Sequence, residues 1–259
     1  MKLDHVVHYV EKPAKEAAGL FQLLGFHTIA GGIHDKWGSS NSLCYFDLSY
    51  LEFLTIDDRK KALQSDNPLI QLVGNQKNEG LYQVALRTNE MNSLVERFKQ
   101  KGLNVMGPFP GQRKRADGKL LEWKMLFVSH QEASYPLPFF IEWKDSDEER
   151  RRDLEEIGAI LPHPNKYTHI YEVGYAVKQP TLALKQWKEW FGIDGEEYVD
   201  ESFIHGKGVR LLLDDVFITF LTPKGDSEFS YTNEGPLYVS LTERFQSKVK
   251  EIMGGYYIL

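Results

Sequence analysis

One constant step of 167 residues carries the start of this chain onto its second half. Val6 goes to Val173, Val10 to Val177, Pro13 to Pro180 and Gly25 to Gly192. Further on, Asp47 goes to Asp214, Phe53 to Phe220, Leu54 to Leu221 and Thr55 to Thr222. A fixed offset held from one end of a segment to the other is the mark of a duplicated supersecondary unit, whose parts pack on each other and tolerate no slippage.

The unit opens on Leu3-Asp4-His5-Val6-Val7-His8-Tyr9-Val10, an apolar run rich in β-branched and aromatic residues that predicts a strand. Pro13 to Leu24 then has Ala14, Ala17, Ala18, Phe21 and Leu24 at helical spacing, with Pro13 suited to a first turn and Gly25 to a stop. His27–Ile33, Ser42–Leu48 and Tyr50–Ile56 read as strands, with Gly31-Gly32 and Gly38-Ser39-Ser40-Asn41 marking turns. The first unit, residues 1–56, is therefore β-α-β-β-β. Ile170–Val177 starts its clearest return.

A looser copy spans 80–145. It has a strand at Gly80–Thr88, a helix at Met91–Lys101, a Pro/Gly-rich stretch at Val105–Gly111, and strands at Lys119–Val128 and Leu137–Trp143. Residues 57–79 are an insertion, and 146–165, charged and then Pro-rich, read as a helix and linker. Residues 166–259 hold the third unit and a fourth cut short: a strand at Pro236–Thr242, a helix at Glu243–Met253, a final strand at Tyr256–Leu259, and the last two strands missing. The expected class is α+β, with tandem βαβββ modules forming cupped mixed sheets and the last module truncated.

Composition narrows the function. A net charge of −6 over 259 residues gives no basic stripe for nucleic acid, and Arg150-Arg151-Arg152, interleaved with acids, reads as a solvated helix face. The single Cys44 rules out an internal disulfide and a thiolate zinc cluster; in its apolar run it reads as a small core residue. No segment has signal-peptide or membrane-spanning character, so a cytoplasmic protein is expected.

Two lone carboxylates, Glu52 and Glu142, lie among bulky apolar residues in the last strands of the first two units. A buried carboxylate is usually paired, metal-bound or raised in pKa; the bland alternative is a wet strand face. His5 and Gln83 occupy matching places in the first strands, one step of 78 apart. If the units pair about a pseudo-twofold, one imidazole and three oxygen donors converge, a set suited to Zn, Ni, Mn or Fe with positions left for substrate. Taken alone, His5 reads equally as a satisfied core histidine.

These features support a resemblance. A β-α-β-β-β repeat with His in its first strand and Glu in its last resembles the vicinal oxygen chelate (VOC) superfamily, and within it the glyoxalase-like bacterial proteins. The matching stretches are Leu3-Asp4-His5, Trp37-Gly38-Ser39-Ser40-Asn41, Tyr50-Leu51-Glu52, Ala85-Leu86-Arg87-Thr88, Gly107-Pro108, Arg115-Ala116-Asp117-Gly118 and Phe139-Phe140-Ile141-Glu142-Trp143. The resemblance implies a metal held by His5, Glu52, Gln83 and Glu142, with Gln83 a departure from His. In the second half the ligand places hold Glu172 and Thr219, implying a fold kept without the metal. One His at the matched places argues against an extradiol dioxygenase.

Two readings stay open. One is a metal-dependent lyase or isomerase of glyoxalase or epimerase type, with Glu52 or Glu142 moving a proton next to a metal-polarised carbonyl, and Trp37, Asn41, Arg115 and Trp123 contacting substrate. The other is a metal-free protein that sequesters a small hydrophobic molecule, in the manner of bleomycin-resistance proteins. The truncated unit leaves its cup open on one side, which could expose Phe203, Phe217 and Tyr238; the expectation is either packing of that half against the first or a homodimer through it.

Overall fold

The computed structural model describes residues 1–115, 117–193, 195–200, 206–223, 229, 231, 233–243 and 248–259, with backbone alone over 195–200 and 206–207. The first module is β1 (Lys2–Tyr9), α1 (Ala14–Leu23), β2 (Ile29–His34), β3 (Ser39–Phe46) and β4 (Ser49–Ile56). Two short helices follow, α2 (Arg59–Leu63) and α3 (Pro68–Gly74). The second module is β5 (Gly80–Arg87), α4 (Met91–Gln100), β6 (Asn104–Lys114), β7 (Leu120–Ser129) and β8 (Phe139–Trp143), and α5 (Asp147–Glu156) comes after it. The second half is built from β9 (Glu172–Ala176), α6 (Pro180–Phe191), β10 (Gly195–Asp200), β11 (Gly206–Leu213), β12 (Val216–Leu221), β13 (Gly235–Ser240), β14 (Val249–Ile252) and β15 (Gly255–Ile258). Among the described residues no helix is long and apolar enough to cross a membrane.

The strands form two sheets, ordered β2-β3-β4-β1-β5-β8-β7-β6 and β10-β11-β12-β9-β13-β15-β14. In each, the first strand of one module runs antiparallel to the first strand of the next, as β1 with β5 and β9 with β13. The offset of 167 survives at the level of single pairs. His5 faces Tyr50 and Glu172 faces Phe217; Val7 faces Glu52 and Gly174 faces Thr219; Leu43 faces Glu52 and Arg210 faces Thr219. The β3–β4 and β11–β12 turns even share an aspartate with positive φ, Asp47 at 54° and Asp214 at 59°, a conformation that Asp tolerates better than most residues.

Alternation along the strands sorts side chains onto two faces. Leu3, Val6 and Val10 of the first sheet, Val173 and Tyr175 of the second, and the apolar sides of α1, α4 and α6 share one core. It is continuous across the halves: Phe21 packs edge-on to Tyr257, and Phe98 against Phe191. The opposite, concave face of the first sheet presents Val7, Tyr9, Leu54, Ala85, Phe127, Phe139 and Ile141.

Several expectations change. The insertion is helical, and Leu69, Ile70 and Val73 of α3 pack onto the concave face. Asn67 starts α3 by accepting the amides of Leu69 and Ile70. Gly31-Gly32 lies inside β2, at a bulge. A Cβ on Gly31 would overlap the Asn41 amide, and one on Gly32 would come within 2.9 Å of the Arg113 side chain. Arg113 belongs to β6, so the two edges of the first sheet curl toward each other. The Pro/Gly-rich stretch at 105–111 also lies within a strand, β6, where a register shift between Met106 and Phe109 absorbs Gly107-Pro108.

The fourth module keeps its last two strands, antiparallel β14 and β15, with β15 parallel to β13. Among the described residues it shows neither the expected helix nor the strand that would follow one. Residues 249–252 of the expected helix are the strand β14, and 244–247 lie outside the described residues. Tyr238 is fully buried within the chain, Phe217 is half-buried, and Phe203 lies outside the described residues.

Candidate active site

The concave face of the first sheet encloses a cavity of about 90 Å³, bounded by His5, Tyr45, Tyr50, Glu52, Phe139 and Ile141 from the sheet and by Leu69 and Ile70 of α3. Arg150 and Leu154 of α5 complete its wall. It opens past His34, Trp37, Arg113, Trp123 and Trp143 into an outer groove of about 1140 Å³.

His5 and Glu52 are 4% and 8% exposed. They come together because β1 and β4 are parallel neighbours, with Val7 opposite Glu52. His5 Nε2 lies 3.5 Å from Glu52 Oε2. On its other side, His5 Nδ1 is 2.7 Å from Asp4 Oδ1. Asp4 is fully buried; a register shift between Leu3 and His5 accompanies this adjacency. Burial is the strongest influence on its carboxyl and works to raise its pKa. The His5 hydrogen bond and the charges of Arg150, His5 and Arg87 outweigh burial and leave it below the usual range. Asp4 is therefore an acceptor, and the proton between the two residues belongs to Nδ1 of His5. Trp143 Nε1 donates to the other oxygen of Asp4 at 2.9 Å. Glu52 Oε1 accepts from Asn41 Nδ2 at 2.6 Å, and Asn41 Oδ1 accepts from Arg113 Nη1 at 3.4 Å.

The phenols beside this chain of groups are not acids at neutral pH. Burial pushes Tyr45 up to about 12 and Tyr50 well above its ordinary value. Tyr50 stacks on the His5 ring at 4.7 Å and fixes its plane. Burial also lowers the pKa of His34, so its imidazole at the cavity mouth is neutral.

The four donors named from the sequence do not meet. The step that takes His5 to Gln83 takes Val7 to Ala85, and Ala85 faces Phe139. The counterpart of Glu52 is thus Phe139, whose ring meets His5 edge-on at 5.4 Å. Glu142 lies three residues further along β8, turned to the α4 side by strand alternation. There its Oε1 accepts the Met91 amide at 3.0 Å, capping α4, and Lys124 Nζ is 3.4 Å from Oε2. Gln83 lines a separate cavity beneath α3, with Pro68, Leu69 and Phe127. Among the described residues no three His, Cys, Asp or Glu side chains are arranged to hold an ion. His5 and Glu52 alone do not make the expected site for Zn, Ni, Mn or Fe, because Phe139 stands where another donor is needed.

The substrate contacts divide in the same way. Trp37, Asn41 and Trp123 line the cavity. Arg115 does not: its guanidinium is held by Asp117 and Asp153, which raise its pKa further.

The glyoxalase-like domain family matches residues 3–191. The chain belongs to this family. A hypothetical protein from Staphylococcus aureus superposes on it with a TM-score of 0.79 at 22% identity, over 99% of this chain and 98% of that one. A mutant 4-hydroxymandelate synthase from Streptomyces coelicolor gives 0.54 at 11% identity, over 92% of this chain and 70% of that one. Methylmalonyl-CoA epimerase from Mycobacterium tuberculosis gives 0.40 at 16% identity, over 56% of this chain and 88% of that one. At these identities the likeness concerns the VOC fold. No curated protein matches.

Three residues of this glyoxalase-like site are not among those the sequence singles out. Asp4 adjoins His5 in the motif itself. Arg113 sits two residues before Arg115, inside the strand rather than in the turn. Arg150 is 6% exposed, unlike the half-exposed Arg151, which pairs with Asp47. Its only sequence signal is the helical spacing to Leu154, which packs with Tyr45 and Tyr50.

Proposed function

We propose that this protein is an enzyme of isomerase, epimerase or lyase type that moves a proton at the carbon next to a carbonyl of a small substrate. The observation that carries the reading is the hydrogen-bonded chain Asp4–His5 facing Glu52–Asn41 at the floor of an aromatic cavity. Glu52 is the base: its Oε2 is free of Asn41 and takes the proton from carbon. Asn41 holds Oε1 and so fixes the carboxylate plane. His5 keeps its Nδ1–H on Asp4 and offers Nε2, so it relays the proton between Glu52 and the neighbouring substrate atom. The negative charge that develops on the carbonyl oxygen is met by the Arg113 guanidinium at the cavity wall.

Divalent ions are common in the VOC superfamily. In this chain the donor set favours proton transfer by side chains, and the reading needs no ion. A sequestering protein would use the aromatic walls but would have no need of a carboxylate, an imidazole and a second carboxylate in series, each buried and oriented.

The test is exchange of the carbon-bound proton with deuterated water in small 2-oxo and 2-hydroxycarbonyl compounds, followed by NMR. Catalysed exchange is expected with the wild type, insensitive to chelator, and absent with Glu52→Gln. Exchange that persists in Glu52→Gln, or that chelator abolishes and a divalent ion restores, overturns the assignment.

A further inference from the structure

We propose that the substrate of this cavity carries a carboxylate, and that Arg150 is the residue that seats it. The proposal rests on the enzyme reading above for the cavity's purpose. Its own evidence is the state of the Arg150 side chain.

Arg150 is buried in the cavity wall, and its Nη1 finds no hydrogen-bond partner among the described residues. The nearest carboxylate oxygens, Asp4 Oδ2 and Asp147 Oδ1, each stand 3.7 Å from Nη1, beyond hydrogen-bond reach. The acids that could have satisfied it are otherwise engaged. Asp4 is held by His5 and Trp143, and Asp147 by Arg87. The guanidinium lies over the Trp143 ring, 4.2 Å from its centroid, so its plane is fixed before anything binds. Asp4 and Asp147 balance its charge from 3.7 Å, but a buried donor left without a hydrogen bond is costly, and an acceptor entering the cavity completes it. A guanidinium is the side chain best shaped for a planar carboxylate.

The rest of the cavity sets the body of the molecule. Leu69, Ile70, Met125, Phe139 and Ile141 are apolar, and Trp37 and Trp123 stand at the mouth. The chemical class is therefore a small carboxylic acid with an apolar body, its acid group on Arg150 and its reacting carbon toward Glu52.

Calorimetric titration of the wild-type protein with matched pairs tests this without any variant: pyruvate against pyruvamide, and phenylacetate against phenylacetamide. A hydrogen bond to a charged group predicts that each acid binds at least about tenfold more tightly than its amide. Arg150→Gln should bring acid and amide to equal affinity, and Arg150→Lys should keep part of the preference. A folded wild type that binds amide as well as acid, or that binds neither acid, overturns the proposal. Glu52→Gln separates it from the enzyme reading. If the acid preference persists there and the wild type exchanges no proton, the enzyme reading falls and the carboxylate site stands. If the wild type exchanges protons on neutral carbonyl compounds with no preference for acids, the carboxylate site falls and the enzyme reading stands.

Discussion

The first modules of the two sheets share a β-α-β-β-β backbone and differ at a few floor positions. The register of β1 with β4 and of β3 with β4 recurs residue for residue in β9 with β12 and β11 with β12, and so do side-chain bonds to the backbone. Thr55 donates to the Val10 carbonyl at 2.9 Å, and Thr222 donates to the Val177 carbonyl at 2.7 Å. On the floor, however, His5, Glu52 and Asn41 of the first sheet become Glu172, Thr219 and Gly208 in the second. Val7 becomes Gly174, and the place of Gln83 opposite Val7 is taken by Tyr238 opposite Gly174. A Cβ on Gly174 would sit inside the Tyr238 ring. The ring lies on the bare backbone, its hydroxyl donates to Glu172, and Phe229 stacks on it at 5.4 Å. In the first sheet the matching places hold Val7 and Gln83, and Gln83 lines the cavity beneath α3. Sheet hydrogen bonds are made by backbone and ignore side-chain identity, so a duplicated sheet can keep its frame while one glycine and one tyrosine convert a cavity into core.

The largest expected effects test whether chemistry belongs to one cup only. Glu52→Gln should lower proton exchange at least about a hundredfold, the ordinary worth of a positioned base. Thr219→Val at the matching place should leave exchange unchanged. Equal losses from both would break the comparison.

Next in size is the filling of the second cup. Tyr238→Ala should cost about 3–5 kcal/mol in urea unfolding, the range for emptying a buried aromatic site, while exchange per folded molecule stays constant. Gly174→Val should be comparably damaging while Tyr238 is present, and much less so combined with Tyr238→Gln, which recreates the first cup. A neutral Gly174→Val would show that the ring does not depend on the missing Cβ.

The third prediction concerns His8, whose counterpart is Tyr175. Burial pushes His8 down to about 4 from an ordinary 6.5, against the opposing influence of the Met253 carbonyl and Glu79. Its Nε2 donates to that carbonyl at 2.9 Å, and its Nδ1 meets the Tyr257 hydroxyl at 2.7 Å. Between those two pH values the unfolded chain binds a proton that the folded chain refuses. The stability due to His8 is therefore complete above about 6.5 and falls as pH drops toward 4, by roughly 3 kcal/mol in all. His8→Gln should flatten this slope. Tyr175, raised far above its ordinary value by burial, contributes nothing in the window. A slope unchanged in His8→Gln would place the titration elsewhere.

The smallest effect concerns what the halves share. Thr55→Val should cost about 1 kcal/mol, the usual net worth of a buried hydrogen bond. Thr222→Val should cost less, because Thr222 is exposed. A larger loss at Thr222 would mean that its bond does more than its counterpart.

The frame of the molecule is legible in the amino-acid pattern. The 167 offset reaches from strand pairing to the turn aspartates, because a β-unit's register is written in its alternating pattern and admits no slippage. His5 and Glu52 are legible for the same reason. Glu142 is misread because the second unit carries no such offset. Only the pairing of Ala85 with Phe139 shows that Glu142 is three residues past the matching place and on the other face. The expected helix at 243–253 fails in its described part because a strand edge beside β13 needs a partner, and β15 with β14 supplies it.

The sequence by itself determined the duplication and the module order, and it singled out His5 and Glu52 as site candidates, since these depend on local period and spacing. Only the tertiary structure decided what surrounds them. It seated α3 and α5 over the first cup, buried Arg150 out of a charged run, curled Arg113 across from the far edge, and laid Tyr238 over Gly174. Each of these joins residues distant in sequence, and packing and desolvation between such residues leave no period in the chain to read.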